Sequence, residues 1–319
     1  RPLLPLADAR ERRARLDFAS LPTPAFTGVR EVEVPIAELV RWVDWSPLFH
    51  TWELSGRYPK LLDDPKKGDA ARKLWADAQA LLTQLIETRA LTARGVYGFF
   101  PAASDGDDLT LYAADGATVI ATMPMLRQQE DKTPCLSLAD FVAPLAHGAP
   151  RDHVGAFAVT AGLGLDAVVA RFEADHDDYH AIMAKALADR LAEAMAEWLH
   201  GQARRAWGYG ADERLTHADL LAERYRGIRP AFGYPACPDH RPKLALFDLL
   251  DHADHHQIRL TEGLAMYPTA SVSGMYFAHP QASYFAVGRV GKDQVEDYAR
   301  RSGVAVADVE RMIPSNLAY

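Results

Sequence analysis

Apolar positions in the first half of the chain follow two different periods. Over residues 69–93 they recur three and four positions apart, which is the spacing of one buried face of an α-helix. Shorter stretches further on are rich in aromatic and β-branched residues, a composition typical of β-strands. We predict strands over residues 96–101, 109–113, 136–142 and 153–160, with the turn-forming run ASDGDD at 103–108 between the first two.

The second half opens with a long amphipathic stretch at residues 177–205, which predicts a helix. Thr216 and Asp219 have the spacing of a capping box, so we expect a short helix that begins there and continues to Arg224. Prolines and glycines between residues 227 and 240 predict an irregular loop. Further helices are predicted at 243–257 and 293–301, and further strands at 271–278 and 283–290.

These elements do not alternate in the order of a doubly wound parallel sheet. We therefore predict the α+β class, as a single domain with a largely antiparallel sheet flanked by helices. Residues 1–25 contain four prolines and the charged run ARERRAR. They predict an extended lead-in, followed by a domain over residues 26–319.

The composition excludes several broad classes of protein. A chain of 319 residues with 49% hydrophobic and 24% charged residues is typical of a globular protein, and its net charge of −8 argues against a nucleic-acid partner. No apolar run approaches the roughly 18 residues of a transmembrane helix, and no secretory signal is visible. We therefore expect a cytoplasmic protein without a membrane partner, whose two distant cysteines are reduced thiols. Because the chain begins with Arg1 and not with methionine, we expect a module of a longer protein.

Two motifs suggest alternative chemistry. Residues 162–167, GLGLDA, fit the GxGxxA pattern of a dinucleotide site, but the motif is short and a tight turn also explains it. His252 and His256 lie four positions apart and could, with Asp251, belong to a metal-dependent hydrolase. A solvated helix end explains these residues as well, and we expect no metal site.

The proline-rich loop carries the most specific chemistry. Three prolines between residues 230 and 238 favour an extended backbone whose amides and carbonyls stay free for a ligand. Gly233 would let a ligand approach the backbone closely. Arg229 offers a planar fork for a carboxylate, and Tyr234 offers a flat amphipathic face. A purely structural proline loop is the alternative.

The loop sequence RGIRPAFGYPACPDH at 226–240 resembles the S-adenosylmethionine-binding loop of the reactivation domains of cobalamin-dependent methionine synthases. Other segments resemble the same family in the same order, along essentially the whole chain. They are VDWSPLF (43–49), FFPAASDGDD (99–108), LADFVAP (138–144), GAFAVTAG (155–162), LADRLAEA (187–194), SVSGMYFAHP (271–280) and QVEDYARR (294–301).

The resemblance implies a C-shaped α+β domain with a twisted antiparallel sheet, the C-terminal module of a methyltransferase that makes methionine from homocysteine. In this family the domain binds S-adenosylmethionine and acts when the cobalamin has been oxidised to cob(II)alamin. An electron from flavodoxin or a flavoprotein reductase, with the methyl group of S-adenosylmethionine, then regenerates methylcobalamin. A partner domain binds the cobalamin, zinc is not expected here, and the isolated chain is not expected to make methionine alone.

The resemblance also implies the ligand-binding residues. They are Asp44, Glu223, Arg229, Ala231, Gly233, Tyr234, Tyr284 and Phe285. Arg229 matches the arginine that holds the ligand's carboxylate, and an acid at Asp44 suits the ligand's ammonium group. No side chain is expected to act as an acid or base, because a sulfonium is already a good leaving group.

Two residues depart from the family pattern. Phe232 stands where the family has a proline, and Met275 stands where it has an aromatic residue.

A third functional alternative is a docking module for a flavoprotein that binds no ligand. Flavodoxins are acidic and this chain carries a net negative charge, so docking would need a local basic patch, for example at Arg300 and Arg301.

Overall fold

The computed structural model describes residues 2–145, 150–250 and 257–319. The strands are β1 (Gly28–Val34), β2 (Thr92–Asp105), β3 (Asp108–Tyr112), β4 (Val119–Pro124), β5 (Asp152–Leu163), β6 (Arg259–Leu260), β7 (Met266–Tyr267) and β8 (Ser271–Tyr276). The α-helices are α1 (Leu6–Glu11), α2 (Ile36–Leu39), α3 (Ser46–His50), α4 (Gly68–Glu87), α5 (Leu165–Ala174), α6 (Asp178–Ala206), α7 (His217–Leu221), α8 (Lys243–Leu249), α9 (Lys292–Ser302) and α10 (Val306–Met312).

One six-stranded sheet organises the domain. Its strands run in the order β4-β3-β2-β5-β8, and β1 pairs with the first half of β2 on the same edge as β3. Each of these ladders is antiparallel. The remaining two strands, β6 and β7, form a small separate sheet. The prediction of an α+β fold with a largely antiparallel sheet is confirmed.

Both faces of β2 and β5 are buried. Side chains of a strand point alternately to opposite faces, so neighbouring residues enter different cores. One face packs under α4 and α6 in what we term the helix-side core, and the other packs under α8 and the proline-rich loop in the loop-side core. The helix-side core includes Tyr97, Phe99, Phe157, Leu187 and Met195. The loop-side core includes Val96, Phe100, Ala156, Ile228 and Phe232.

The long helix α6 follows the predicted pattern closely. It begins after Asp177, whose carboxylate accepts a hydrogen bond from the His180 amide and so satisfies one unpaired donor of the first turn. The capping box of α7 is also present, because Thr216 and Asp219 each accept a hydrogen bond from the other's backbone amide. This helix ends at Leu221, three residues before the predicted end.

The predicted strand at 136–142 is wrong. Residues Leu138–Phe141 form a 3-10 helix, because Ser137 and Asp140 make a local capping box. The predicted strand at 283–290 is also wrong, since it joins no ladder among the described residues. Its backbone is held by isolated contacts, such as the bond from the Val287 amide to the Pro235 carbonyl. In the predicted helix at 243–257, the described part is helical from Lys243 to Leu249.

The N-terminal segment is not simply extended. It contains α1, whose Leu6 is buried, and the Arg10 guanidinium contacts the carboxylates of Asp107 and Asp297 at 2.7 and 2.6 Å. The segment therefore packs on the domain near α9. The domain boundary at residue 25 stays a prediction.

Two further expectations bear on the fold. Gly164 has a φ of 93° and joins β5 to α5, and a Cβ atom there would lie 2.2 Å from the Ala90 carbonyl oxygen. A tight turn that needs glycine thus accounts for this part of the GxGxxA pattern.

No helix in the described part of the chain is long and apolar enough to cross a membrane.

A buried ion-pair network joins the sheet to the segment that follows it. Arg127 is 1% exposed and its guanidinium donates to both oxygens of Asp140 at 2.7 Å, and to Asp107 at 2.7 Å. The carbonyl of Cys135 accepts a further bond at 2.7 Å. Because the Arg127 guanidinium is paired with two carboxylates, the free-energy cost of burying its positive charge is offset locally.

We expect Asp140→Ala to lower the free energy of unfolding by about 3–5 kcal/mol, because it leaves Arg127 buried without its bidentate partner. Chemical denaturation monitored by circular dichroism measures this loss. Asp131→Ala is the control, since Asp131 is 62% exposed in its pair with Arg12. The control should change stability by about 1 kcal/mol or less. Equal effects of the two variants would contradict the importance of the buried pair.

Candidate functional site

The proline-rich loop is held against the edge of the sheet next to β8. Ile228 and Phe277 exchange two backbone hydrogen bonds of 3.1 and 3.0 Å, and the Met275 amide donates to the Pro230 carbonyl at 3.0 Å. The loop then turns back on itself, with a bond of 2.8 Å from the Gly233 amide to the Cys237 carbonyl. Part of its backbone is therefore paired, contrary to the expectation that it stays free.

Two glycines permit this path. Gly227 has a φ of 83°, and a Cβ atom there would lie 2.3 Å from the Phe277 carbonyl oxygen. Gly233 has a φ of 90°, and its missing side chain would lie 2.0 Å from the His240 ring. The space beside Gly233 is thus filled by His240, so this glycine serves the packing of the loop on itself.

A cleft of about 530 Å³ opens between the loop, the beginning of β8, α6 and the segment after residue 283. This volume lies within the range usual for small-molecule sites. Six of the eight predicted residues line it, namely Glu223, Arg229, Ala231, Tyr234, Tyr284 and Phe285. Gly233 is not among the lining residues.

Asp44 lies in a smaller cavity of about 170 Å³ beside the main cleft. The two cavities share Glu193, Glu223 and Arg229, so they are adjacent. One oxygen of Asp44 accepts a 3.0 Å hydrogen bond from the Ser46 amide at the start of α3. Asp44 and Arg229 therefore line the same cavity, and a local turn orients the Asp44 carboxylate.

The guanidinium of Arg229 lies where the two cavities meet. Its Nη1 atom lies 2.9 Å from a Glu197 oxygen, 3.1 Å from the Tyr225 hydroxyl and 3.4 Å from Nδ1 of His200. Burial by itself would lower the pKa of Arg229, but the Glu197 carboxylate more than offsets this and the pKa is raised. Arg229 therefore remains a cation in the site.

The electrostatic character of the smaller cavity is acidic. Two arginines, Arg190 and Arg229, face four carboxylates there. The carboxylates belong to Asp44, Glu193, Glu197 and Glu223. Such a site favours a ligand that carries positive charge as well as one carboxylate.

Aromatic side chains form the rim of the main cleft. Tyr234 is 63% exposed, and Tyr284 is also exposed. The Tyr284 hydroxyl accepts a 3.0 Å hydrogen bond from the Arg229 amide and lies 3.3 Å from the Tyr225 hydroxyl. Tyr284 is thus tied to the loop, whereas Tyr234 presents most of its ring to solvent.

Residues of α6 were missed by the sequence analysis. Glu193, Glu197 and His200 are spaced four and three positions apart, which places them on one face of the helix. Glu193 lines both cavities, while Glu197 and His200 contact Arg229. The sequence signal that could have identified these three residues is their polar character at the spacing of one face of α6.

The two departures from the family pattern are buried. Phe232 is one of the side chains of the loop-side core, and Met275 on β8 lies in the same core. Phe232 nevertheless lines part of the cleft. Both residues therefore fill space between the loop and the sheet.

The alternative sites receive no support. Asp251, His252 and His256 lie outside the described residues, and within the described part no three potential metal ligands converge. Arg301 is only 8% exposed and pairs with Asp108 and Asp297. Arg300 pairs with Asp297 as well, but its side chain is 72% exposed, so the docking alternative stays a prediction.

Comparisons with known proteins point to one family. The family described as "Vitamin B12 dependent methionine synthase, activation domain" matches residues 35–303. A solved structure, the MetH reactivation domain bound to AdoHcy, is 47% identical in sequence and superposes with a TM-score of 0.96. That match covers 100% of both chains. The chain therefore belongs to the family of vitamin B12-dependent methionine synthase activation domains.

Proposed function

We propose that the chain binds S-adenosylmethionine in the cleft and supports the reductive methylation of cob(II)alamin, which regenerates methylcobalamin in methionine synthase. The observation that carries this proposal is the position of Arg229 among acidic groups at the junction of the two cavities. The relative bound to AdoHcy, the demethylated form of this ligand, supports the same assignment.

The charges of the ligand suit the site. S-adenosylmethionine carries a carboxylate, an ammonium group and a sulfonium, so its net charge is positive. Arg229 would hold the carboxylate, and Asp44 would receive the ammonium. Glu193 and Glu223 would lie near the remaining positive charge, since they line both cavities.

The rest of the ligand would occupy the main cleft. The backbone at Ala231 and Gly233 is proposed to meet the adenine, although the geometry favours Ala231, which lines the cleft. Tyr234, Tyr284 and Phe285 offer flat surfaces beside it. The floor is apolar, because Phe157 and Val272 contribute to it.

This chain would then contribute to catalysis by positioning the methyl donor. Cobalamin held by the partner domain, once reduced by the electron donor, would supply the acceptor for the methyl group, and S-adenosylhomocysteine would be the leaving product. No proton has to move in this transfer, so the side chains of the cleft bind and orient the donor. Tyr234, which lines the cleft and is 63% exposed, would face the acceptor.

The proposed partners follow from this role. They are the cobalamin-binding domain of methionine synthase and a flavodoxin or flavoprotein reductase as electron donor. The cleft would face the cobalamin-binding domain during reactivation. The isolated chain would not make methionine by itself.

Isothermal titration with S-adenosylmethionine tests the binding step. We expect saturable heat with one ligand per chain. A folded sample that gives no heat at millimolar ligand would refute the proposal.

A second experiment tests the catalytic role. It measures the reduction and methylation of added cob(II)alamin by the parent enzyme, with and without this domain.

Arg229→Ala should weaken S-adenosylmethionine binding by about 1–3 kcal/mol, because a charged hydrogen-bond partner of the carboxylate is lost. Arg229→Lys keeps a positive charge beside Glu197 but loses the planar fork, so it should also weaken binding. Arg224→Ala is the matched control, since this neighbouring arginine is exposed and paired with Asp219. Titration of the three variants, each checked for folding, decides the point; unchanged affinity in both Arg229 variants would refute the assignment.

A further inference from the structure

A buried polar cluster lies beneath the cleft, on the face of α6 that contacts the loop. Glu197 and Arg229 form an ion pair at 2.9 Å, with side chains that are 13% and 18% exposed. The Tyr225 hydroxyl and the His200 ring complete the group around the guanidinium. A second ion pair, between Arg204 and Glu213 at 2.7 Å, lies beside it, and its guanidinium is stacked over the ring of Tyr225.

The contacts of the Arg229 side chain converge on a single atom. The shortest contacts that Glu197, Tyr225 and His200 make with this side chain are all to Nη1. A guanidinium presents two parallel N–H groups along its Nε–Nη2 edge, which matches the two oxygens of a carboxylate. With Nη1 occupied, this edge is the one left for a bidentate partner in the cleft.

His200 acts as a fixed acceptor in the cluster. Burial, together with the charges of Arg229 and Arg204, lowers the pKa of His200 well below its usual value, so the imidazole is neutral. A guanidinium has donors only, so Nδ1 of His200 must be the accepting nitrogen. The ring is stacked on Tyr276, with centroids 5.1 Å apart and planes 6° apart, which holds its orientation.

We propose that Glu197 is a positioning residue that, with Tyr225 and His200, fixes Nη1 of Arg229 and thereby presents the Nε–Nη2 edge to the carboxylate of the bound ligand. This inference rests on the proposed function. It assigns a role in ligand recognition to a helix residue that does not line the main cleft.

Two effects of Glu197 oppose each other. Its negative charge repels the ligand's carboxylate, and its ion pair restricts the rotation of a flexible arginine. The ligand would use Nε and Nη2, whereas the shortest contact of Glu197 is to Nη1, so the ligand need not displace the internal partner. Because the pair is largely removed from solvent, we infer that the gain in orientation exceeds the repulsion.

Glu197→Gln tests the inference with two ligands. S-adenosylhomocysteine has the carboxylate, whereas 5′-methylthioadenosine has the same nucleoside and thioether but no amino-acid group. Titration should show that the variant binds S-adenosylhomocysteine roughly ten- to a hundredfold more weakly, as expected for a charge-assisted hydrogen bond that is no longer held in place. Its affinity for 5′-methylthioadenosine should change less than about twofold, since in the proposed binding mode the nucleoside part would not reach Arg229.

A second variant and a control distinguish a loss of Arg229 orientation from a general loss of structure in the site. Tyr225→Phe removes the hydroxyl on Nη1 but keeps the ring, so it should cause a smaller loss that is again confined to S-adenosylhomocysteine. Glu173→Gln breaks an exposed ion pair with Lys185 of α6, outside the cluster, and should leave both affinities within about twofold.

Three results would overturn the inference: equal losses for both ligands in Glu197→Gln, unchanged binding, or tighter binding of S-adenosylhomocysteine. If the unaltered chain binds neither nucleoside, the proposed function itself fails, and the role of Glu197 fails with it. A loss for S-adenosylhomocysteine alone supports both.

Discussion

The antiparallel pair of β2 and β5 is the constraint on which the other elements depend. The two strands are paired from Thr92 to Ala102, and nearly all of their side chains are buried. Because successive side chains enter opposite faces, this one ladder needs a cover on both sides. The helices α4 and α6 provide one cover, and α8 with the proline-rich loop provides the other. The site then lies at the β8 edge, where the two covers approach each other.

The pairing of Ile228 with Phe277 determines where Arg229 can act. In an extended backbone the next side chain points to the opposite side, so Ile228 enters the loop-side core while Arg229 turns towards α6. Neither the loop nor the helix could build this part of the site alone. The glycine at 227 is needed because the loop backbone passes so close to the Phe277 carbonyl.

A cation held in a largely buried position requires a counterion, and the counterion here is part of the protein. The site therefore keeps a permanent ion pair, between Arg229 and Glu197, next to the place proposed for the ligand's carboxylate. The other carboxylates of the cavity remain available for positive groups. This combination of one oriented cation and several acids suits a ligand that is zwitterionic with an additional positive charge.

The sequence by itself determined the elements whose periodicity is local and strong. The helices α4 and α6, the central strands, the capping box at Thr216 and the irregular loop were all predictable, because their patterns reflect burial of one face or the geometry of a turn. The strand predicted at 136–142 was wrong because a capping box and the contact of Asp140 with Arg127 outweigh its apolar composition. Only the tertiary structure showed that Glu197 and His200 of α6 meet Arg229 of the loop. That contact joins residues about thirty positions apart across a sheet edge, and no local periodicity encodes such a distance.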